Sequence, residues 1–281
     1  MAEADMADEL ETAVARHYGL PGLPQQIESA LAAAGLGADR IAPEALAPID
    51  EFHIGGRAAT AHVVGKMGLT PDAHVLDVGC GLGGAARFIA GTHGCRVTGI
   101  DLTPDYVAVA RLLAARTGLA DRTDYQVASA LDMPFADATF DAAITLHVAM
   151  NIGDRPALYA EIARVLKPNA TFCVYDVMQG PNGGLRYPVP WAETPAVSHL
   201  RTPEETRSLL LEAGFTVSDV EDRTAAGIAF FRERLAKSGP IPPLGLHVLM
   251  GAQARDKFAN MLAGLEAGSI APVVMVARRK A

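Results

Sequence analysis

HVLDVGCGLGG, residues 74–84, decides the fold. Val75, Leu76 and Val78 form a short apolar run, broken only by Asp77, that reads as a buried strand. Gly79, Gly81 and Gly83 follow at alternate positions, and AARFIA (residues 85–90) then opens a helix. A strand feeding a glycine turn and a helix is the ligand end of a nucleotide-binding α/β unit. Glycine lets the backbone approach a ligand closely where a Cβ would collide with it. A second apolar run, residues 97–100, ends at Asp101, which lies 22 residues beyond Gly79. There its carboxylate is placed to accept hydrogen bonds from ribose hydroxyls.

Working outward, the chain alternates strand and helix as a doubly wound sheet does. The patterning predicts strands over 75–78, 97–100, 123–127, 140–146 and 171–177. It predicts helices over 83–91, 104–117 and 155–166, with Pro104 and Pro156 suited to a first turn. A further helix begins at Thr202 and stops at Gly214, and strands are expected over 215–220 and 272–277. Between those two strands, residues 221–271 read as an insertion, helical at 230–237 and 253–266. Upstream, two short helical patterns between Leu10 and Leu36 are split by GLPGLP (residues 19–24). A loop then leads into a helix over 57–67. Residues 1–70 therefore read as a helical N-terminal lid and residues 71–281 as the main domain. The expected fold class is α/β, a doubly wound seven-stranded sheet.

Half of the 281 residues are hydrophobic, enough for a sizeable core. The net charge of −8, from 24 basic and 32 acidic residues, argues against a sequence-independent nucleic-acid binder, which lives on phosphate neutralisation. Cys80, Cys95 and Cys173 sit in or beside apolar runs without metal-ligand spacing, so they read as core residues and no metal is expected. The acidic N-terminus lacks the basic and apolar regions of a leader, and no apolar run approaches the ~20 residues of a membrane span. The expectation is a cytoplasmic protein whose partner is a small molecule, with neither nucleic acid nor membrane, and with homo-oligomerisation left open.

The glycine spacing alone fits either a dinucleotide or S-adenosylmethionine (SAM), since Gly84 falls three positions after Gly81. Asp77, two positions before the first glycine in V-L-D-V-G-C-G-L-G, makes the stretch resemble motif I of the class I SAM-dependent methyltransferases. The layout is similar to the small-molecule N-methyltransferases of the sarcosine/dimethylglycine type. The resemblance runs in order from about residue 50 to 280, through ALDM (130–133), FDAAITLHVAMNI (140–152) and RVLKPNATFCVYD (164–176). It implies a Rossmann-like methyltransferase fold with SAM as cofactor and S-adenosylhomocysteine (SAH) as product. By the same resemblance Asp77 organises the loop around the methionine moiety, together with Gly79, Gly81 and Gly83. Asp101 binds the ribose, and Leu102, Leu131 and Asp132 complete the nucleoside site. Arg57, in EFHIGGRAAT (residues 51–60), either pairs with the SAM carboxylate or is simply solvated.

Ligands of an open α/β sheet bind at the carboxyl ends of its strands, which places His147 and Asn151 towards the acceptor. His147 is either a general base or a contact to SAM. Asn151 either hydrogen-bonds the acceptor or caps the next helix. His53 and, from the long Pro- and Gly-rich connection after the fifth strand, Tyr187, Trp191 and His199 are the substrate-pocket candidates. Trp191, the only tryptophan, reads equally as the anchor of its own loop. The resulting expectation is methyl transfer to a small molecule, an amine first. O- or C-methylation of a natural product or prenyl chain stands as the alternative. An NAD-dependent oxidoreductase lacks its Tyr/Lys signature here, and a SAM-binding protein without catalysis is the remaining reading.

Overall fold

The computed structural model describes residues 2–37 and 40–281, with side chains from residue 10 onward. Residues 1, 38 and 39 of the expected N-terminal unit lie outside the described residues. Four helices precede the sheet: α1 (Ala2–Tyr18), α2 (Leu23–Ala33), the single turn α3 (Ala47–Asp50) and α4 (Gly56–Gly65). The alternating part follows as β1 (His74–Val78), α5 (Gly84–His93), β2 (Arg96–Asp101), α6 (Pro104–Thr117), β3 (Thr123–Val127), β4 (Phe140–Leu146), α7 (Arg155–Val165) and β5 (Leu166–Gln179). The chain closes with α8 (Pro203–Glu212), β6 (Phe215–Asp222), α9 (Thr224–Ala236), α10 (His247–Met250), α11 (Ala254–Glu266) and β7 (Ile270–Arg279).

The sheet order is β3-β2-β1-β4-β5-β7-β6. The first five strands run parallel, and β7 runs antiparallel between β5 and β6. Strand order reverses between β1 and β4, and it is at such a switch point that open α/β sheets bind their ligands. Continuous burial along β1 follows from helices covering both faces: Val75 packs into one core layer, Leu76 and Val78 into the other. A third apolar cluster joins Leu23, Ile27 and Ile49 of the N-terminal helices to Leu113 of α6 and to Leu246 and Leu249 at α10. It thus fastens the segment before the sheet and the insertion before β7 to the same face of α6.

Two boundaries differ from expectation for identifiable reasons. Strand β5 begins at Leu166 rather than 171, because Leu166 already pairs with Phe140 and a register shift follows before Ala142 meets Thr171. Asn169 takes the left-handed conformation (φ 65°) within that irregular stretch. Helix α9 begins at Thr224 rather than 230; the Asp222 carboxylate accepts from the Thr224 N–H at 2.6 Å and starts it. Gly227 is a packing position where α9 lies against Ile54, Leu265 and Pro272. Among the described residues no helix is long and apolar enough to cross a membrane.

Candidate functional site

The glycine turn after β1 is shaped by what presses on it. Gly79 has φ 70°, and a Cβ there would stand 2.8 Å from Cγ1 of Val148. Gly83, the N-cap of α5 at φ 77°, would place a Cβ 2.7 Å from the Tyr125 hydroxyl. Both positions therefore need glycine twice over, for conformation and for space. The Gly81 N–H donates to Oδ2 of Asp101 at 2.9 Å, and Oδ1 of Asp101 accepts from the Thr103 N–H at 2.9 Å. The end of β2 thus holds the turn after β1 in place.

A cavity of about 700 Å³ opens at these strand ends. That is ample for a drug-sized ligand, whose sites run from about 300 to 1,000 Å³. Asp77, Gly79, Asp101, Leu102, Leu131 and His147 all line it, as expected for the cofactor side. Asp77 is fully enclosed, and its Oδ2 has no hydrogen-bond partner. Burial, with Asp101 and Glu51 nearby, raises its pKa to about 7. Burial also raises that of Asp101, although the two backbone N–H groups it holds oppose the shift. An unpartnered carboxylate facing a cavity is what a cationic ligand group relieves. The lining includes Glu11, Asp50, Asp77, Asp101 and Asp154, and no lysine or arginine among the described residues. This donor set fits SAM, whose ammonium and sulfonium are both positive.

The opposite end of the cavity is apolar and was only partly legible. Trp191 and His199 line it as expected, joined by Phe230 and Phe231 of α9 and by Phe258 and Met261 of α11. Helix α1 roofs the cavity across both ends with Leu10, Val14 and Tyr18, the last packed edge-on against Phe52 and Tyr106. The aromatic pair at 230–231 within the expected insertion was the available signal, and it was read only as helix. Nothing in the sequence of α1 announced Tyr18.

Several expected roles are corrected. Arg57 does not reach the cavity; it forms an ion pair with the buried Glu51, and its Nη2 lies 3.9 Å from Asp50. It also stacks on Phe88, 5.2 Å from the ring centroid. Asp132 is exposed and outside the lining, because the turn after β3 points it to solvent. Tyr187 lies in a separate hollow beside Gln179 and Arg201. Gly81 and Gly83 belong to the turn itself, Gly81 through its N–H to Asp101 and Gly83 as the N-cap of α5. Asn151 lines the cavity with both amide hydrogens committed and one lone pair of its oxygen in use. Its Nδ2 donates to the carbonyls of Trp191 (2.8 Å) and Val197 (3.0 Å), and its Oδ1 accepts from Tyr18 at 2.9 Å. It is not the cap of the next helix; Asp154 caps α7 by accepting from Ala157. Trp191 is both wall and anchor, its indole N–H donating to Ser198 at 2.9 Å.

Of the two histidines near the cofactor side, His147 is engaged through both ring nitrogens and His53 through Nε2 alone. His53 places Nε2 3.0 Å from the Thr60 hydroxyl and 3.2 Å from the Gly56 carbonyl. His147 places Nδ1 3.0 Å from the Tyr175 carbonyl. A carbonyl only accepts, so Nδ1 carries the proton, and the free lone pair of Nε2 accepts the Ile54 N–H at 3.3 Å. Burial lowers the pKa of His53 to about 4; burial and the neighbouring His53 lower that of His147 to about 3. A general base works best with a pKa near the operating pH and a free lone pair, and His147 has neither. The base role expected for it is withdrawn.

A family profile described as "Methyltransferase domain" matches residues 76–174. The O-methyltransferase resE of Aspergillus sclerotiorum is 34% identical over 168 residues, covering 58% of this chain and 62% of that protein. The O-methyltransferase cnsE of Penicillium expansum is 31% identical over 193 residues, covering 61% of this chain and 67% of that one. The chain thus matches about two thirds of the length of these relatives. A solved structure from Galdieria sulphuraria, provisionally named a sarcosine dimethylglycine methyltransferase, has a TM-score of 0.65 at 20% identity, covering 79% of this chain and 84% of its own. The strand order and glycine turn define a doubly wound nucleotide-type site. With these relatives, the chain belongs to the class I SAM-dependent methyltransferases, and its cofactor is SAM.

Proposed function

We propose that the protein transfers the methyl group of SAM to a hydroxyl group of an apolar small molecule. The observation that carries this reading is one continuous cavity with carboxylates at the strand ends and an aromatic chamber opposite them. Bound SAM supplies a methyl group on a positively charged sulfur, so the protein's task is alignment rather than covalent help. In this reading Asp77 holds the ammonium, Asp101 the ribose, and Leu102 and Leu131 flank the adenine. Phe230, Phe231, Phe258 and Trp191 hold the body of the acceptor, and the helices of residues 1–70 close over it as a lid.

The amine first expected fits less well. Either acceptor must give up a proton, to solvent or to a carboxylate of the wall, so the choice rests on the aromatic chamber, whose apolar faces suit an uncharged acceptor better than an ammonium. The two fungal relatives are O-methyltransferases by name. C-methylation is the second reading, favoured by the aromatic faces, which stabilise positive charge on a carbon by about 0.5–2 kcal/mol.

The test is calorimetric titration with SAH, with NAD as control, followed by labelled SAM with naphthols, prenyl alcohols and dimethylglycine as acceptors. The expected result is SAH binding and label on a hydroxyl oxygen. Label on carbon selects the second reading. Binding of NAD alone, or turnover of the amine alone, overturns the proposal.

A further inference from the structure

We infer that His147 is a positioning residue, a pin whose ring fastens the segment 52–54 across the cofactor side of the cavity, rather than a group that moves the acceptor's proton. Phe52, His53 and Ile54 all line the cavity, so where this segment sits decides the shape of one wall. Both backbone polar groups of Ile54 are taken by residues at the ends of β4 and β5. Its N–H donates to Nε2 of His147 at 3.3 Å, and its carbonyl accepts from the Tyr175 hydroxyl at 3.1 Å. The Tyr175 carbonyl in turn accepts from both the backbone N–H of His147 (2.7 Å) and its Nδ1 (3.0 Å). These bonds close a loop of three residues, in which each imidazole nitrogen has one assigned task.

The backbone supports the same assignment. His147 has φ 56°, a left-handed conformation that non-glycine residues rarely adopt. Strain of this kind persists where the surroundings over-determine it, and it marks a working position. Past Ile54 the chain turns through Gly55 (φ 89°) and Gly56 (φ 51°), a glycine pair on which the segment swings if released. The Ile54 side chain meanwhile lies against Gly227 of α9, the helix that carries Phe230 and Phe231. Ile54 is therefore the junction between strand ends, lid and acceptor wall, and His147 holds its backbone.

The groups facing the His147 ring are His53, at 6.0 Å between ring centroids, and Tyr175, at 4.6 Å. Neither carries charge at neutral pH when buried. Protonation of Nε2 would set one donor against another, so the pin works only with a neutral ring. Burial keeps it neutral through the ordinary range.

Two substitutions test this without relieving the left-handed backbone, as glycine would. His147→Phe keeps a ring and removes both nitrogens, whereas His147→Gln keeps an acceptor oxygen within reach of Ile54. The first readout is amide exchange of the Ile54 peptide in the ligand-free protein, which needs neither cofactor nor acceptor and so stands apart from the methyl-transfer proposal. The second is the SAH dissociation rate, and the third is the pH profile of turnover. For His147→Phe the expected outcome is at least tenfold faster exchange at Ile54 and at least tenfold faster SAH release. His147→Gln should stay within about threefold of the parent in both, and all three proteins should share one pH profile. Unchanged Ile54 exchange in a folded His147→Phe overturns the inference. So does a rate profile that loses a limb near neutrality in both variants, which would restore His147 as the base.

Discussion

Replacing Arg87 with methionine tests how the segment ahead of the sheet is fastened to the cofactor turn. Arg87, on α5 just past the glycine turn, is fully buried, and its Nη2 lies 2.7 Å from Oδ2 of the buried Asp50. Its Nη1 also donates to the Leu82 carbonyl at 2.7 Å. Methionine conserves most of the stem's packing and deletes the charge. Asp50 is then left as a buried carboxylate whose remaining cation is Arg57, 3.9 Å from the other oxygen. Breaking one half of a buried pair costs about 3–5 kcal/mol, chiefly because the survivor is stranded. Arg57 offsets part of that, so the lower half of the range is expected. For a domain of this size each kcal/mol moves Tm by about 2–4 °C, giving a fall of roughly 6–16 °C. Urea unfolding and a thermal melt measure it, and the partner substitution decides the cause. Asp50→Leu with Arg87→Met removes both charges and should recover most of the loss, because a well-packed apolar pair is often neutral against a buried ion pair. A loss under about 1 kcal/mol for Arg87→Met, or a double variant as unstable as the sum of the singles, would refute the reasoning.

Three more predictions concern the cavity. Asp77 titrates near 7 when folded and near 3.8 when unfolded, so between those values the ligand-free fold binds more protons than the unfolded chain. Its contribution to stability therefore falls as pH rises from about 4 to 7. Asp77→Asn should remove that slope and raise the neutral-pH Tm while weakening SAH binding; a melt series against pH with an unchanged slope would contradict it. Asp101→Ala should cost about 2–3 kcal/mol of SAH affinity by calorimetry. It should also lower Tm, because the Gly81 and Thr103 N–H groups lose their acceptor; a variant that loses neither is evidence against the ribose assignment. Tyr18→Phe deprives Oδ1 of Asn151 of its donor and should lower stability by about 1 kcal/mol. Steady-state kinetics should show a raised KM for the acceptor with the KM for SAM unmoved, and the opposite pattern would place α1 over the cofactor instead.

The cofactor half was legible because it is made mostly of backbone and short apolar runs. Val75, Leu76 and Val78 are buried on both faces of a sheet and so read without ambiguity, and the glycines at 79, 81 and 83 mark the turn wherever it lies. Asp101 could be placed by counting along the chain. The remaining roles were not legible because side-chain pairing decides them, between near neighbours as well as between distant segments. Arg57 reads as a free cation until Glu51 is seen buried beside it. Asn151 reads as available until Tyr18, 133 residues earlier, is found at its oxygen. The His147 ring reads as a base because its residue type and position suit one. What disqualifies it, the Ile54 N–H and the Tyr175 carbonyl, comes from residues whose identities say nothing about hydrogen bonding.

The cavity's two halves are also drawn from different stretches of the chain. The family profile ends at residue 174, within β5, whereas Phe230, Phe231, Phe258 and Met261 come after it and Tyr18 comes well before it. The proposed acceptor chamber thus draws on segments outside the matched profile. New acceptors can arise by redrawing α1, the loop after β5 or the α9–α11 insertion, at little cost to cofactor binding. A library confined to those three segments is accordingly the place to search for altered acceptor choice, with SAH affinity as the internal check that the cofactor half is intact.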